Sequence, residues 1–341
     1  MGVTIKDVAK LAKVGVSTVS RAMNQSGYVS ADALERIKAA VEALGYRPDP
    51  TARALIRRRT DMVALIVNLP LNEAWDTVVT HLENELFIEK MISSVFIISY
   101  KMADWHERFR AVIETIQERR MAGLMFMGGD IYGNDEMLYD TLIHSRFPMV
   151  GIDCYMPGSI VVSSDHEGGT RAAARHLLQL GHRSIGFLRP ADEAGSMSRQ
   201  LGWRKALVGA GIEPQESWII KTPDVSPKAA MDICMEVLRR PERPTGFVCF
   251  NDELAMGLIH AAWRLGIKVP EELSVVGYDD TPSVQAFVPP LTTMRQHSDR
   301  IARLAVDELM NCLSGRESVA GTRMIDSTLV VRETTAPPMA R

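Results

Sequence analysis

The chain is poor in the features that mark secreted, disulfide-stapled or membrane proteins. Its 341 residues include four cysteines, Cys154, Cys234, Cys249 and Cys312, and no two form a CxxC pair. Thiols scattered in this way argue against a disulfide frame or a zinc site and predict buried, reduced side chains. The longest apolar runs, such as MVALIV (62–67), are far too short to span a bilayer. The opening residues, MGVTIKDVAKLAK, hold no apolar stretch before a small-residue cleavage site, so no secretory leader is expected. No GxSxG, HExxH, P-loop or strand-linked GxGxxG pattern occurs. An enzyme is therefore not expected, nor a cofactor or a metal.

What is present is an ordinary globular composition, 46% hydrophobic and 24% charged. The length exceeds what one core usually supports and predicts two or three domains. The formal net charge of −3 hides an asymmetry. Residues 1–60 hold eleven basic and five acidic side chains, a net of +6, and the remaining 281 hold 28 and 37, a net of −9. A basic head on an acidic body is the electrostatic footprint expected of a phosphate-binding segment.

The head reads as three short helices. Thr4 stands as an N-cap before Ile5, Val8, Ala9 and Ala12, which share one helical face. A second helix, from about Val16 to Met23, turns Val19 and Met23 inward and leaves Ser17, Arg21 and Asn24 on its other side. A third runs from Ala31 to Leu44 behind Ser30, buries Leu34, Ile37, Val41 and Leu44, and ends at Gly45. This spacing fits a helix-turn-helix unit that places its second helix in the major groove. The alternative is a small helical cap with a polar outer face.

The segments TIKDVAKLA (4–12), STVSRAMN (17–24) and YVSADALERIKAAVEALGYRPDPTARAL (28–55) strongly resemble the head of the LacI/GalR family of bacterial transcription regulators. The resemblance implies that Val16, Ser17 and Arg21 face base edges, where arginine suits guanine. It implies phosphate contacts for Thr4, Thr18, Ser20, Asn24, Tyr28 and Ser30. The turn departs from the family: Lys13-Val14-Gly15 stands where Gly-Val-Ser is usual. That puts Lys13 where a left-handed backbone is often wanted and removes a serine N-cap. In PDPTARALIRRRT (48–60) the resemblance implies a hinge helix, with Leu55 as a wedge between base steps and Arg53 as a flanking minor-groove contact.

Beyond residue 61, apolar runs alternate with amphipathic stretches: MVALIV, SVFIIS (94–99), GLMFMG (123–128), PMVGID (148–153), IVVSSD (160–165) and onward to LSVVGYD (273–279). Such alternation predicts doubly wound parallel sheets covered on both faces, with a ligand cleft outside the strand carboxyl ends. The resemblance continues through GTRAAARHLLQLGHRSIGFL (169–188), NDELAMG (251–257) and LGIKVPEELSVVGYDDTP (265–282). It implies two lobes of periplasmic-binding-protein type, crossed near residues 163, 291 and 324. The expected division is a helix-turn-helix domain at 1–47, a hinge at 48–60 and an effector and dimerisation domain at 61–341. Within the last, one lobe takes about 61–163 and 292–324, the other about 164–291 and 325–341.

At the cleft Arg199 matches the family arginine that holds sugar hydroxyls or acidic groups, Asn251 and Asp279 match family polyol contacts, and Asp153, which ends PMVGI, is a further candidate, although an Asx side chain there can equally cap a loop. Where many relatives carry Asn-Pro and two aromatics, this chain has NLPLNEAWDTVV (68–79), so Trp75 is the candidate platform for a sugar face and Glu73 replaces the proline. The expectation is a cytoplasmic homodimeric repressor that binds a pseudo-palindromic operator in duplex DNA and answers to a carbohydrate-like effector. No leucine heptads follow LVVRETTAPPMAR, so a dimer and not a tetramer is expected. The alternatives are a sugar-binding transport protein without a regulatory role, and a family regulator controlled by a protein partner.

Overall fold

The computed structural model describes residues 3–24, 27–46, 59–68, 72–99, 102–130, 147–156, 158–191, 195–316 and 318–339. It divides into two compact units, Met1–Asp61 and Met62–Arg341.

The first unit contains α1 (Ile5–Ala12), α2 (Val16–Asn24) and α3 (Ala31–Leu44). Val8, Ala9, Ala12, Val19, Ile37 and Ala40 form its core, while Leu34, Val41 and Leu44 are only half-buried. Fourteen residues of α3 meet two shorter helices, so part of its apolar stripe stays at the edge. Lys13 ends α1 with φ 53° and ψ 44°, and Val14 N–H bonds back to Ala9 O at 3.1 Å. This is the left-handed stop usually given to glycine, built on a lysine. Gly15 caps α2 through its carbonyl alone, which accepts from Thr18 N–H at 2.9 Å.

The second unit holds two six-stranded sheets, ordered β11-β5-β4-β3-β1-β2 and β12-β10-β9-β8-β6-β7. The first sheet comprises β1 (Met62–Asn68), β2 (Ile92–Ile98), β3 (Gly123–Asp130), β4 (Met149–Tyr155), β5 (Ile160–Ser164) and β11 (Gly321–Ile325). All its pairings are parallel. The second comprises β6 (Ile185–Pro190), β7 (Ile219–Thr222), β8 (Gly246–Cys249), β9 (Ser274–Asp279), β10 (Thr292–Arg295) and β12 (Thr328–Val330). Only β12 runs antiparallel to its neighbour there.

The unbroken apolar runs are explained by the cores on either side of each sheet. In β1, Val63, Leu65 and Val67 join α4 (Glu73–Ile88) and α10 (Ser298–Leu313). Ala64 and Ile66 point the other way, to α5 (Trp105–Glu118). Strands with both faces covered cannot alternate apolar with polar residues. In the second sheet, α6 (His166–Gln179) and α7 (Gly195–Gly209) cover one face, and α8 (Pro227–Val237) and α9 (Asp252–Arg264) the other. A Cβ on Gly202 would lie 2.2 Å from Glu167 O, so glycine there lets α7 lie against α6. Packed in this way, α7 holds Arg199.

Four features differ from expectation. The edge strand β2 is not covered on both faces: Ile92, Val95 and Ile97 are exposed. The chain leaves the second sheet after Arg295 and not near 291, because β10 pairs with β9 and β12. Ile325 still pairs in the first sheet, which moves the last crossing past 325. Of the thiols, Cys234 and Cys249 are buried, whereas Cys154 and Cys312 are only half-buried.

Candidate nucleic-acid interface and ligand cleft

On the head, Val16, Ser17 and Arg21 are exposed along α2, and Thr18 and Ser20 lie half-buried beside them. Among the described residues, Arg21 makes long contacts within its own helix, Nε to Ser17 O at 3.4 Å and Nη2 to Thr18 Oγ1 at 3.5 Å. A guanidinium held this loosely gives up little on meeting a base. Tyr28 is 87% exposed. Ser30 caps α3 by accepting from Ala33 N–H at 3.4 Å. Thr4 donates its hydroxyl to Asp7 at 2.7 Å and its N–H to the same oxygen at 2.9 Å. Those bonds hold the exposed Asp7 carboxyl below its ordinary pKa. Asn24 is the last residue of α2, with its side chain outside the described residues; Arg53 and Leu55 lie outside them altogether.

In the body, Arg199 sits at the centre of a polar circuit. It is 7% exposed, and its guanidinium carbon lies 4.2 Å from the ring centroids of both Phe250 and Tyr278. Nη1 donates to Phe250 O at 2.5 Å and Nη2 to His166 Nδ1 at 3.2 Å. Since Nη2 can only donate, Nδ1 must accept, which assigns the ring proton to Nε2. Nε2 then donates to Asp153 Oδ1 at 3.2 Å. Ser163 Oγ and Ser164 N–H reach the same oxygen at 2.6 and 3.0 Å. Gln296 closes the circuit: Nε2 donates to Asp279 Oδ1 at 2.6 Å and Oε1 accepts from Ser164 Oγ at 2.6 Å. Asp279 lies 3.9 Å from Arg199 Nη2.

The circuit joins both lobes to the segments between them. Asp153 is on β4 of the first sheet and Asp279 ends β9 of the second. Ser164, Gln296 and Ser327 lie at the three crossings, and Tyr278 reaches Ser327 Oγ at 2.9 Å. Asp153 and Asp279 both hold left-handed backbones, with φ of 44° and 118°. Strain of this kind aims a side chain where regular strand geometry would not. Burial pushes the Asp153 carboxyl up, but His166 and the bonds from Ser163 and Ser164 outweigh it, so its pKa lies below the usual carboxylate range. For Asp279 burial wins over Arg199 and Gln296, with Glu253 and Asp153 adding repulsion, and its pKa is pushed up to about 7.

The other candidates are placed differently. Asn251 is buried and caps α9, its oxygen accepting from Leu254 N–H at 2.9 Å, the loop-capping role that sequence left open. Trp75 packs against the first core near the carboxyl end of β3, where a Cβ on Gly128 would meet its ring at 3.4 Å. Glu73 accepts Ser283 N–H at 3.2 Å on each carboxylate oxygen, a contact between lobes. His166, Phe250, Tyr278 and Gln296 were missed from sequence. HEGG and TTMRQ carry no spacing signal, and an aromatic in a strand reads as core. Two aspartates beside the cleft are structural. Asp252 receives Thr293 Oγ1 at 2.6 Å and Thr281 N–H at 2.9 Å, and Asp280 is paired with Arg295 and Arg332 at 2.6 and 2.5 Å. No cluster able to hold a metal occurs among the described residues, and no helix among them is long and apolar enough to cross a membrane.

The family description "Bacterial regulatory proteins, lacI family" matches residues 4–49, and "Periplasmic binding protein-like domain" matches residues 174–335. The HTH-type transcriptional repressor PurR of Photobacterium profundum is 30% identical over 334 residues, covering 97% of this chain and 98% of that protein. The chain belongs to the LacI family. As a LacI-family member it is a DNA-binding transcriptional regulator switched by an effector, and the relatives it matches are repressors, not enzymes. PurR of Haemophilus influenzae is likewise 30% identical, over 336 residues, 97% of this chain and 98% of that protein. Among solved structures, a lac repressor dimer bound to operator and the anti-inducer ONPF matches with a TM-score of 0.83 at 27% identity, covering 98% of this chain and 100% of that one. The regulator CelR in complex with cellobiose matches at 0.72 and 25% identity, covering 97% and 99%.

Proposed function

We propose that this LacI-family regulator is a cytoplasmic homodimeric repressor that answers to a sugar-like effector held by Asp153, Arg199, Asn251, Asp279 and Trp75. Each head reads one half-site of a pseudo-palindromic operator. Val16, Ser17 and Arg21 read base edges, and Thr4, Thr18, Ser20, Asn24, Tyr28 and Ser30 hold the backbone. Leu55 and Arg53 act in the minor groove at the centre. The solved lac repressor dimer on its operator and the CelR–cellobiose complex support this reading. Support for the dimer comes from the apolar surface of the first lobe, where Phe87, Ile88, Ile92 and Ile97 are more than half exposed. An apolar strand edge of this kind is a liability unless another chain covers it.

The observation that carries the switch is the circuit Asp153–His166–Arg199–Asp279–Gln296–Ser164, which ties the two ligand-facing carboxylates to the crossings between lobes. A ligand that alters these bonds biases the angle between lobes, and a coupling of about 1–3 kcal/mol is ordinary for such switches. The test is operator binding by fluorescence anisotropy, using a duplex selected from random DNA, with a sugar panel added. Asp279→Ala is expected to keep operator affinity and lose the response. A variant that still responds fully contradicts the cleft assignment.

A further inference from the structure

The turn between α1 and α2 lacks the two residues that would shape it locally, and α3 supplies a hold on it; this inference rests on α2 being the base-reading helix. Lys13 stands in a left-handed backbone with φ 53°, which costs energy for any residue with a Cβ. Gly15 precedes α2 with no side chain to accept from its first N–H groups. Val14, between them, packs half-buried against the head core. The angle between α1 and α2 therefore depends on contacts that reach the turn from outside it.

One such contact is polar and comes from α3. Ala9 O accepts Val14 N–H at 3.1 Å, and Lys10 O accepts Lys13 N–H at 3.4 Å. Ala12 O, at the end of α1, accepts from Arg36 Nη1 at 3.2 Å, and Ala12 is only 2% exposed. Arg36 Nη2 lies 3.0 Å from Asp32, one turn earlier on α3. Arg36 thus puts a cation on the last carbonyl of α1, where one is favourable, and Asp32 fixes the direction of its fork. The far end of α2 has less support. Ala22 and Met23 face Leu34, Ile37 and Val41 of α3 across an open apolar groove of about 280 Å³. With its C-terminal half seated over that groove, α2 takes its direction from the turn.

We infer that Arg36 is a positioning residue for base reading: its fork, held between Ala12 O and Asp32, fixes the turn and so sets the direction in which α2 presents Val16, Ser17 and Arg21. Arg36 touches no base in this role. Its side chain is 43% exposed on a basic head, so the competing account is a phosphate contact, and the two differ in what they change. A positioning residue changes discrimination between sequences. A phosphate contact strengthens binding to every duplex alike and carries about one unit of the salt dependence.

The experiment measures binding of the full chain, by fluorescence anisotropy over a salt series, to its selected operator and to a scrambled duplex of equal length and composition. Arg36→Met keeps the stem and removes the fork. It should lower the ratio of operator to scrambled affinity by at least about five-fold, the worth of one displaced base contact, with the salt slope unchanged. Lys13→Gly should restore most of that ratio in the Arg36→Met background, because glycine holds the left-handed stop without help. Arg36→Lys keeps the charge but not the fork; it should also lower the ratio, and it decides the question if Arg36→Met does not fold. A ratio that stays at the wild-type value overturns the inference, whether binding falls because the head folds less or, with a slope smaller by about one, because a phosphate contact is gone. A lowered ratio that Lys13→Gly leaves unrestored overturns it as well, since Arg36 would then act other than through the turn. A wild-type chain that binds both duplexes alike overturns the base-reading role of α2 and the inference with it.

Discussion

Replacing Arg199 with alanine should destabilise the body by an amount that grows with pH, and the growth should come from Asp279. The pH-independent part follows from the contacts. Two aromatic rings lose a cation at 4.2 Å each, at roughly 1 kcal/mol or more apiece where desolvated. Phe250 O loses its buried donor, which costs a further ~1–3 kcal/mol. The total is about 3–5 kcal/mol. The pH-dependent part follows from the Asp279 pKa of about 7, well above its unfolded value. Asp279 therefore takes up a proton on folding between those two values, and its burial costs stability as pH rises through that interval. Arg199 pulls the pKa down, so its loss moves the folded value higher still. At about pH 6 the carboxyl is neutral in both proteins and adds nothing to the difference. At about pH 8.5 the wild type has ionised and the variant has ionised less, which adds up to ~2 kcal/mol at 1.36 kcal/mol per unit. Urea unfolding of both proteins at the two pH values, followed through the body's transition, measures this. Asp279→Asn in the Arg199→Ala background should remove the growth with pH while leaving the deficit at pH 6. A deficit equal at both pH values, or growth that survives Asp279→Asn, would refute the electrostatic account.

Three further outcomes are expected. Arg21→Ala should lose discrimination at one base pair of the half-site by ~1–3 kcal/mol, read by binding to single-substitution duplexes; a uniform loss across all duplexes would make Arg21 a phosphate contact. Lys13→Gly should stabilise the head by about 0.5–1 kcal/mol, because relief of the left-handed backbone outweighs the added chain entropy; a fall in melting temperature would show that the lysine side chain stabilises the turn. Ile97→Asp should convert a dimer to monomers in sedimentation and weaken operator binding, since a carboxylate cannot be buried unpaired in an apolar interface; a variant that stays dimeric places the interface elsewhere.

The fold was legible wherever packing imposes a pattern. Val63, Leu65 and Val67 alternate with Ala64 and Ile66 between two cores, which forces an unbroken apolar run. Thr4, Ser30 and Gly45 bound their helices by chemistry that sequence displays directly. The short strands β10, β11 and β12 carry no such run, being three to five residues long, and the two later lobe crossings fall a few residues beyond the expected places. The site was half legible. Arg199, Asp153 and Asp279 stand at strand or helix positions with a family counterpart. His166 and Gln296 function only through partners distant in sequence, Ser164 and Gln296 being 132 residues apart. Asn251 shows the limit most plainly: sequence does not separate a ligand contact from a helix cap, and the structure shows that its oxygen accepts Leu254 N–H.

The central claim is that cleft and operator share one coupling free energy, and reciprocity tests it most directly. Operator affinity is measured with and without a saturating ligand from the sugar panel, and ligand affinity with and without saturating operator. The two ratios should agree and lie at about 5–150-fold, and both should fall to one in Asp279→Ala. A ligand that binds the wild-type body yet leaves operator affinity unchanged would contradict the claim.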